Sequence, residues 1–401
     1  MSRDLIPIAR ARELVLETLG VLPSEQAAID AALGRVLVAD VRATGNVPPF
    51  SCSAMDGYAV LAGDAGRVLE VIGESRAGTP AVLEVRDGVA IRISTGAAVP
   101  AGATAVIAQE DVAANGSSIE TQAVVAVGDH IRGAGEDIPD GTTVLEAGTR
   151  LGGVELGAAT AAGAATVTVA ARPRVSVLCT GDELRAPGEP LGPGEIHNSN
   201  APMLVGLATN AGAQTAPAQR IPDDHAATLA AISAALDSSD VVIISGGVSV
   251  GPHDHVKPVL AELGVDEVFW SVSLQPGKPT WFGTGGGGQL VFGLPGNPVS
   301  AVVTFSLFVA PALAALQGAD RDRALEPEAV LGVDIPRNPR REQAVRVVLR
   351  RGERLPVATP NGAQGSHILS SLIGADALAM IPAGEGTAPS GTVVALEPLA
   401  R

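Results

Sequence analysis

The spacing of apolar and polar positions changes character several times along this chain. In the opening segment, MSRDLIPIARARELVLETLG, Ile8, Leu14, Val15 and Leu19 share one side at helical spacing. That pattern predicts an amphipathic helix rather than a secretion signal. A second short helix is predicted over 27–33. From about 46 to 140 the apolar positions gather into short β-type runs split by glycine: VLEVIG, AVLEV, VAIRIST, TAVIAQEDV and SIETQAVV. Such runs predict a small β domain. GTTVLEAGTRLGGVELGAATAAG then returns to one strand and an alanine-rich helix.

At RPRVSVLCTGDEL the regime changes again. RVSVLCT is a continuous apolar run, as buried parallel strands are. A helix is predicted over 199–211, a short strand near Gln219, and a helix begun by the acidic pair Asp223 and Asp224. DVVIISGG, EVFWSVS and QLVFGLPG read as strands, HVKPVLAELG as a helix, and a long helix starts at Pro298. Strands alternating with helices at this spacing predict a doubly wound α/β sheet. From about Leu325 the chain is Pro-rich with short strands, which predicts a compact β barrel or sandwich. The expected organisation is α/β multidomain: a helical segment over 1–45 with 141–171, an inserted β domain over 46–140, the doubly wound domain over 172–322, and a C-terminal β barrel over 323–401.

The stretch 279–319 contains no charged residue, and 298–316 is long enough to cross a bilayer. Pro311, Ser300, Thr304 and Ser306 within it, and the strand before it, favour a helix buried in an α/β layer. The net charge of −16 argues against nucleic acid and against an anionic membrane as general partners. The two cysteines, Cys52 and Cys179, form neither a disulfide framework nor a metal-like spacing, and a reducing cytoplasm is the expected compartment. Only two lysines, Lys257 and Lys278, stand against 25 arginines. Both lie in loops rich in Gly and Pro. A compact ammonium suits a single anionic oxygen in a tight pocket, so the pair points to an anion site.

In a doubly wound sheet, ligands bind beyond the carboxyl ends of the strands. Three such ends carry unusual loops. CTGDEL places Thr180, Gly181, Asp182 and Glu183 just past a strand. In SGGVSVGPHDHVK, Gly246 and Gly247 allow close backbone approach, and Ser245 and Ser249 with the loop amides can cradle an oxyanion. In GLPGNPVS, after Pro295, Gly296 turns the chain, Asn297 caps and Pro298 starts the helix. None of these is a P-loop or dinucleotide fingerprint. Asp182, Glu183, Asp223, Asp224 and Asp254 fall at loops or helix starts. Facing phosphate, they suit Mg²⁺, with Asp223 and Asp254 as candidate ligands. Helix capping accounts equally for Asp223 and Asp224. His253, Asp254 and His255 lack the third and fourth ligands of a zinc site at familiar spacing.

Taken in order, PPFxxSAMDGYAV, ISTGAAVPAGATAVI, GEDI, CTGDEL, SGGVSVGxxDxxK, PGKP, GLPGNPVSA and QGSHILSS resemble the molybdopterin molybdenumtransferases, the bacterial MoeA and gephyrin E-domain family. The resemblance runs through nearly all 401 residues. It implies an elongated homodimer of four-domain subunits with a molybdopterin-binding domain and a C-terminal barrel. The implied reaction takes adenylylated molybdopterin and molybdate, inserts the metal at the dithiolene, and releases AMP with Mg²⁺ required. Motif by motif, it carries over Asp56, Thr95, Asp137, Glu183, Asp223, Asp254, Lys278, Pro295 and Pro298, with Ser366 from the C-terminal domain and Lys257 after the glycine loop. Gln275 stands where the family often has lysine, and Ser51-Cys52 where Asp-Asn is common. Possible partners are the adenylyltransferase that makes the substrate and an apo-molybdoenzyme that takes the product. Two other readings remain: an adenylyltransferase-like phosphoanhydride enzyme, which need not carry SAMDGYAV or the barrel, and a non-enzymatic scaffold, for which a long disordered linker is absent.

Overall fold

A computed structural model describes residues 5–248, 254–319 and 327–400. They divide into two compact units. One comprises residues 1–25, 34–38 and 169–401; the other comprises 26–33 and 39–168.

The first unit is built on a seven-stranded sheet. Its order is Gln214–Thr215, Arg174–Thr180, Val241–Ser245, Leu290–Leu294, Trp281–Thr284 and Asp266–Trp270, with Gln219–Ile221 also pairing with Arg174–Thr180. The pairings through Leu290–Leu294 are parallel, and the last two are antiparallel. Alternation along the strands feeds two cores. Val175, Val177, Cys179, Val241 and Ile243 face a layer containing the Asn200–Asn210 helix, the Ile8–Glu17 helix and the long helix from Pro298. Leu178, Val242, Ile244 and Val291 face the His225–Ser238 and Val256–Glu262 helices. Burial on both faces is why these strands read as unbroken apolar runs.

The helix from Pro298 to Leu316 is long and apolar enough to cross a membrane, but 78% of its apolar window is buried inside the protein. A π-turn over Phe305–Val309 interrupts it just before Pro311. Proline offers no N–H to the preceding turn. The Leu307 carbonyl, four residues back, accepts instead from Arg12 Nε at 3.3 Å. Arg12 also pairs with Glu397 at 2.8 Å, so the first helix is tied to the last strand.

In the same unit, Glu342–Arg350, Val357–Pro360, Glu328–Leu331, Val393–Pro398 and Ala377–Ile381 pair in that order, and Ala377–Ile381 returns to Glu342–Arg350. The result is a closed five-stranded barrel. Leu274–Gln275 adds to Glu342–Arg350 from outside. Val345 and Val347 fill the barrel, whereas Ala344 belongs to the α/β core.

The second unit holds a six-stranded sheet ordered Ala105–Ala108, Gly57–Val60, Val89–Ile93, Val68–Ser75, Ser118–Thr121 and Val112–Asn115. Thr143–Leu145 and the Gly153–Ala161 helix follow it in the chain. The helix expected over 27–33 is not formed. The structure has a strand over Ser24–Ala28 and a single 3₁₀ turn over Ile29–Ala31, closed by Gly34 at φ +75°. The segment is too short for alanine propensity to overcome the cost of nucleating a helix.

Candidate active site

A cavity of about 680 Å³ opens where the three parallel strands end. Cys179 and Thr180 line it from the first strand, Ser245 from the second, and Gly296, Asn297 and Pro298 from the loop after the third. Asn198 and Asn200 contribute from the start of a helix, and His367 and Leu369 from the barrel. Crossovers place helix N-termini at this edge, so positive dipole ends lie toward the opening.

The floor is set by close backbone packing. Gly246 has φ +92°, and a Cβ there would lie 2.8 Å from Thr180 Oγ1 and 3.0 Å from the Thr180 carbonyl oxygen. Gly247 has φ +65°, and a Cβ would lie 2.6 Å from Val256 Cγ2 and 3.0 Å from Thr180 Oγ1. The Gly246 N–H donates to the Leu294 carbonyl at 3.0 Å, which joins the second loop to the third. Across the floor Asn200 Nδ2 donates to Ser245 Oγ and to the Gly296 carbonyl, each at 2.8 Å. A carbonyl only accepts, so this pair fixes the orientation of the amide. All three strand ends are thereby held in one frame.

Among the residues expected from sequence, Thr180, Glu183, Ser245, Gly296, Asn297 and Pro298 line the cavity. Gly181 donates its N–H to the Ile221 carbonyl at 3.2 Å, and Pro295 is buried. Asp182 Oδ1 accepts from the Asp223 N–H at 3.2 Å. Asp254 is half-buried just ahead of the Val256–Glu262 helix. Lys257 lies in that helix with its ammonium 3.9 Å from the centre of the Trp270 ring. Lys278 is exposed and is not one of the residues lining the cavity. Ser249 and His253 lie outside the described residues. In the other unit, Thr95 donates both its N–H (2.7 Å) and its hydroxyl (2.9 Å) to Asp56 Oδ1. These bonds hold the Asp56 carboxyl below its ordinary value. Asp137 is exposed there, its N–H bonded to the Val47 carbonyl at 3.0 Å.

Two capping expectations change. Asn297 occupies the N-cap position but makes no side-chain capping bond. Its amide donates to Ser366 Oγ at 3.1 Å, and the Val299 N–H donates to the Ser366 carbonyl at 3.2 Å. The barrel thus supplies the helix end with partners that a local cap would otherwise supply. At the other helix, Asp224 is the cap, accepting from the Ala227 N–H at 2.8 Å. Asp223 precedes it, exposed, and makes no cap.

Several site residues were missed from sequence. Asn198 and Asn200 sit in the polar run IHNSN at a helix start, a signal that reads equally as an ordinary cap. Cys179 is buried at the cavity edge, and burial pushes its thiol up, opposed by a hydrogen bond with Asn198. Arg346 is 1% exposed and lies on the face opposite Val345 and Val347. Its Nε donates to Ser371 Oγ at 3.1 Å and an Nη to the Gly365 carbonyl at 3.2 Å. Burial pulls this guanidinium down to about 10. It organises the loop that delivers Ser366 and His367 to the cavity.

Three family models cover the chain in succession. They are the MoeA N-terminal region (domain I and II) over residues 6–163, the "Probable molybdopterin binding domain" over 176–315, and the MoeA C-terminal region (domain IV) over 328–399. A molybdopterin molybdenumtransferase of Haemophilus influenzae is 35% identical over 98% of both chains. One from Bacillus subtilis is 34% identical over 98% of this chain and 94% of the relative. The crystal structure of a molybdopterin biosynthesis MoeA protein from Pyrococcus horikoshii superposes with a TM-score of 0.82 at 32% identity, covering 98% of this chain and 100% of that one. With such identity sustained end to end, and with the doubly wound layer and closed barrel in place, the chain belongs to the molybdopterin molybdenumtransferase family.

Proposed function

We propose that this chain completes molybdenum cofactor by inserting molybdenum into molybdopterin. Its substrates in this reading are adenylylated molybdopterin and molybdate, and AMP is released as the phosphoanhydride is cleaved. The carrying observation is the cavity at the strand ends, where hydroxyl and side-chain amide donors converge and Glu183 is the one carboxylate among the described lining residues. The Ser245 and Thr180 hydroxyls and the Asn297 side chain suit phosphate oxygens. Asn198 and Asn200 suit the polar edge of a pterin. Glu183 at the rim can orient water toward the phosphorus. Lys278 is assigned to an oxyanion, molybdate or phosphate, against the chain's negative background.

Mg²⁺ is the metal this reading calls for, with Asp223 and Asp254 as its candidate carboxylates, neither of them among the residues lining the cavity. Among the described residues no three His, Cys, Asp or Glu side chains converge as a cage. Mg²⁺ is commonly held by one or two carboxylates completed by substrate phosphate. Asp223 and Asp254 would hold it, and the ion would neutralise charge developing on the leaving phosphate. The same family reading carries a homodimer and a cytoplasmic location. Exposed Phe50 and Met55 beside Asp56 give the second unit an apolar surface suited to a partner copy.

The test is turnover. Purified protein with adenylylated molybdopterin, molybdate and Mg²⁺ should release AMP and yield a product that activates an apo-molybdoenzyme. AMP release without activating product would leave a phosphoanhydride hydrolase instead. Light scattering showing a species of one chain's mass would remove the dimer.

A further inference from the structure

The chain has only two tryptophans, Trp270 and Trp281, and two lysines. One of each is in contact. The Trp270 indole Nε1–H donates to the Val248 carbonyl at 3.2 Å. The face of the same ring carries the Lys257 ammonium at 3.9 Å from its centre. Val248 directly follows Gly246 and Gly247 of the cavity floor, and Lys257 lies three residues after Asp254. Trp270 ends the sheet's antiparallel edge strand, an element rigid enough to serve as an anchor. The loop's other contacts agree. Val248 is 2% exposed and packs over the next strand, where a Cβ on Gly293 would lie 2.5 Å from its Cγ1.

We propose that Trp270 is a positioning residue for the reaction, holding Val248 after the glycine turn and Lys257 at the helix start with one indole. The ring nitrogen fixes the exit from the glycine turn. The ring face fixes the first turn of the helix behind Asp254. Cation–π attraction is strongest for tryptophan and grows when the cation is partly desolvated. Lys257 is half-buried. Its ammonium is therefore committed to holding the helix start, and its role differs from that of the exposed Lys278. No other aromatic side chain supplies both a broad π face and an N–H donor.

The functional part of this inference rests on the reading above, so the experiment has two arms. Hydrogen exchange, read on the full-length protein without ligand, tests the grip alone. Trp270→Phe keeps a ring face and loses the N–H; Trp270→Leu loses both. Amides of 246–248 and of the Val256–Glu262 helix should exchange about tenfold faster in Trp270→Leu and by an intermediate factor in Trp270→Phe, with the sheet strands unchanged. Lys257→Arg should stay near wild type, because a guanidinium also stacks on an indole. Lys257→Met should approach Trp270→Leu. The second arm measures AMP release. KM for adenylylated molybdopterin should rise at least fivefold in Trp270→Leu, and by less in Trp270→Phe, while kcat falls less than KM rises. Unchanged exchange in both Trp270 variants overturns the grip. Faster exchange with wild-type KM overturns its part in the reaction. If Trp270→Leu loosens the whole sheet, Trp270→Phe alone decides. Faster exchange in a protein whose wild type releases no AMP leaves the grip standing and removes the proposed activity.

Discussion

Adding one methyl group at Gly246 tests whether the cavity floor is as tightly built as its geometry says. Two costs arise in Gly246→Ala. A backbone at φ +92° is unfavourable for any residue with a Cβ, by about 1–2 kcal/mol. The new Cβ also meets Thr180 Oγ1 at 2.8 Å and the Thr180 carbonyl oxygen at 3.0 Å. The hydroxyl can rotate away, but the carbonyl belongs to a central strand and cannot. Overpacking of that kind costs about 1–3 kcal/mol. Together they predict a loss of about 2–5 kcal/mol, a large share of a total stability of about 5–15 kcal/mol. For a unit of this size that is a fall in Tm of roughly 4–20 °C. Gly247→Ala is the internal control. Its φ of +65° lies nearer the left-handed minimum, and its contacts are side-chain tips of Val256 and Thr180. It should cost less, and adding Val256→Ala, which removes the Cγ2 at 2.6 Å, should recover part of the loss, whereas that change does not relieve the carbonyl contact at 246. Thermal melts of the four proteins give the assay. Equal or reversed ordering of the two alanine variants, or a Gly246→Ala melt within about 2 °C of wild type, refutes the packing argument.

Three further outcomes follow from contacts away from the floor. Thr95 holds the Asp56 carboxyl below its ordinary value of 3.8, so its stabilisation is fully present above that value and is lost as pH falls through the lowered one. Asp56→Asn should lower Tm at pH 7 and converge on wild type in acid; a deficit persisting below the lowered value contradicts this. Asn297→Ala loses the amide bond to Ser366 Oγ rather than a cap, so its cost of about 0.5–1.5 kcal/mol should be matched by Ser366→Ala, with turnover falling in both; a loss in Asn297→Ala that Ser366→Ala does not share would restore the cap. Gln275→Lys sacrifices the bond its amide accepts from Asn338, worth about 0.5–1.5 kcal/mol of stability, and adds a cation that tightens molybdate binding by about 1 kcal/mol or less, lowering the half-saturating concentration by about fivefold at most; an unchanged melt with unchanged half-saturation would count against both parts.

Sequence pattern and structure agree where burial is two-sided. RVSVLCT, DVVIISGG and QLVFGLPG are read correctly because their consecutive apolar positions serve one core or the other. The strand Trp281–Thr284 was missed: flanked by Pro279 and a run of glycines, it takes its pairing from both neighbours rather than from any local signal. Arg346 illustrates the limit of alternation, which finds the face a residue points to but not what covers that face. In AVRVVLRRG the arginine reads as an outward, solvated position, yet that face of the barrel strand lies under the loop bearing Ser366. Asn297 and Asp223 show the same limit at helix starts. Composition and φ preference fit the cap, and only the long-range partner, Ser366 or the cap formed by Asp224, decides the role. The Asp56–Thr95 pair joins residues 39 apart and was accessible only through motif resemblance.

The most direct test of the account is a crystal structure of the full chain with AMP and Mg²⁺, the pair the proposed reaction releases together. The account predicts the phosphate at the strand ends, within hydrogen-bond distance of Ser245 or Thr180 and of the Asn297 side chain, with the ion between phosphate oxygens and Asp223 or Asp254. A well-ordered nucleotide bound elsewhere on the chain, with this cavity holding only solvent, would contradict it.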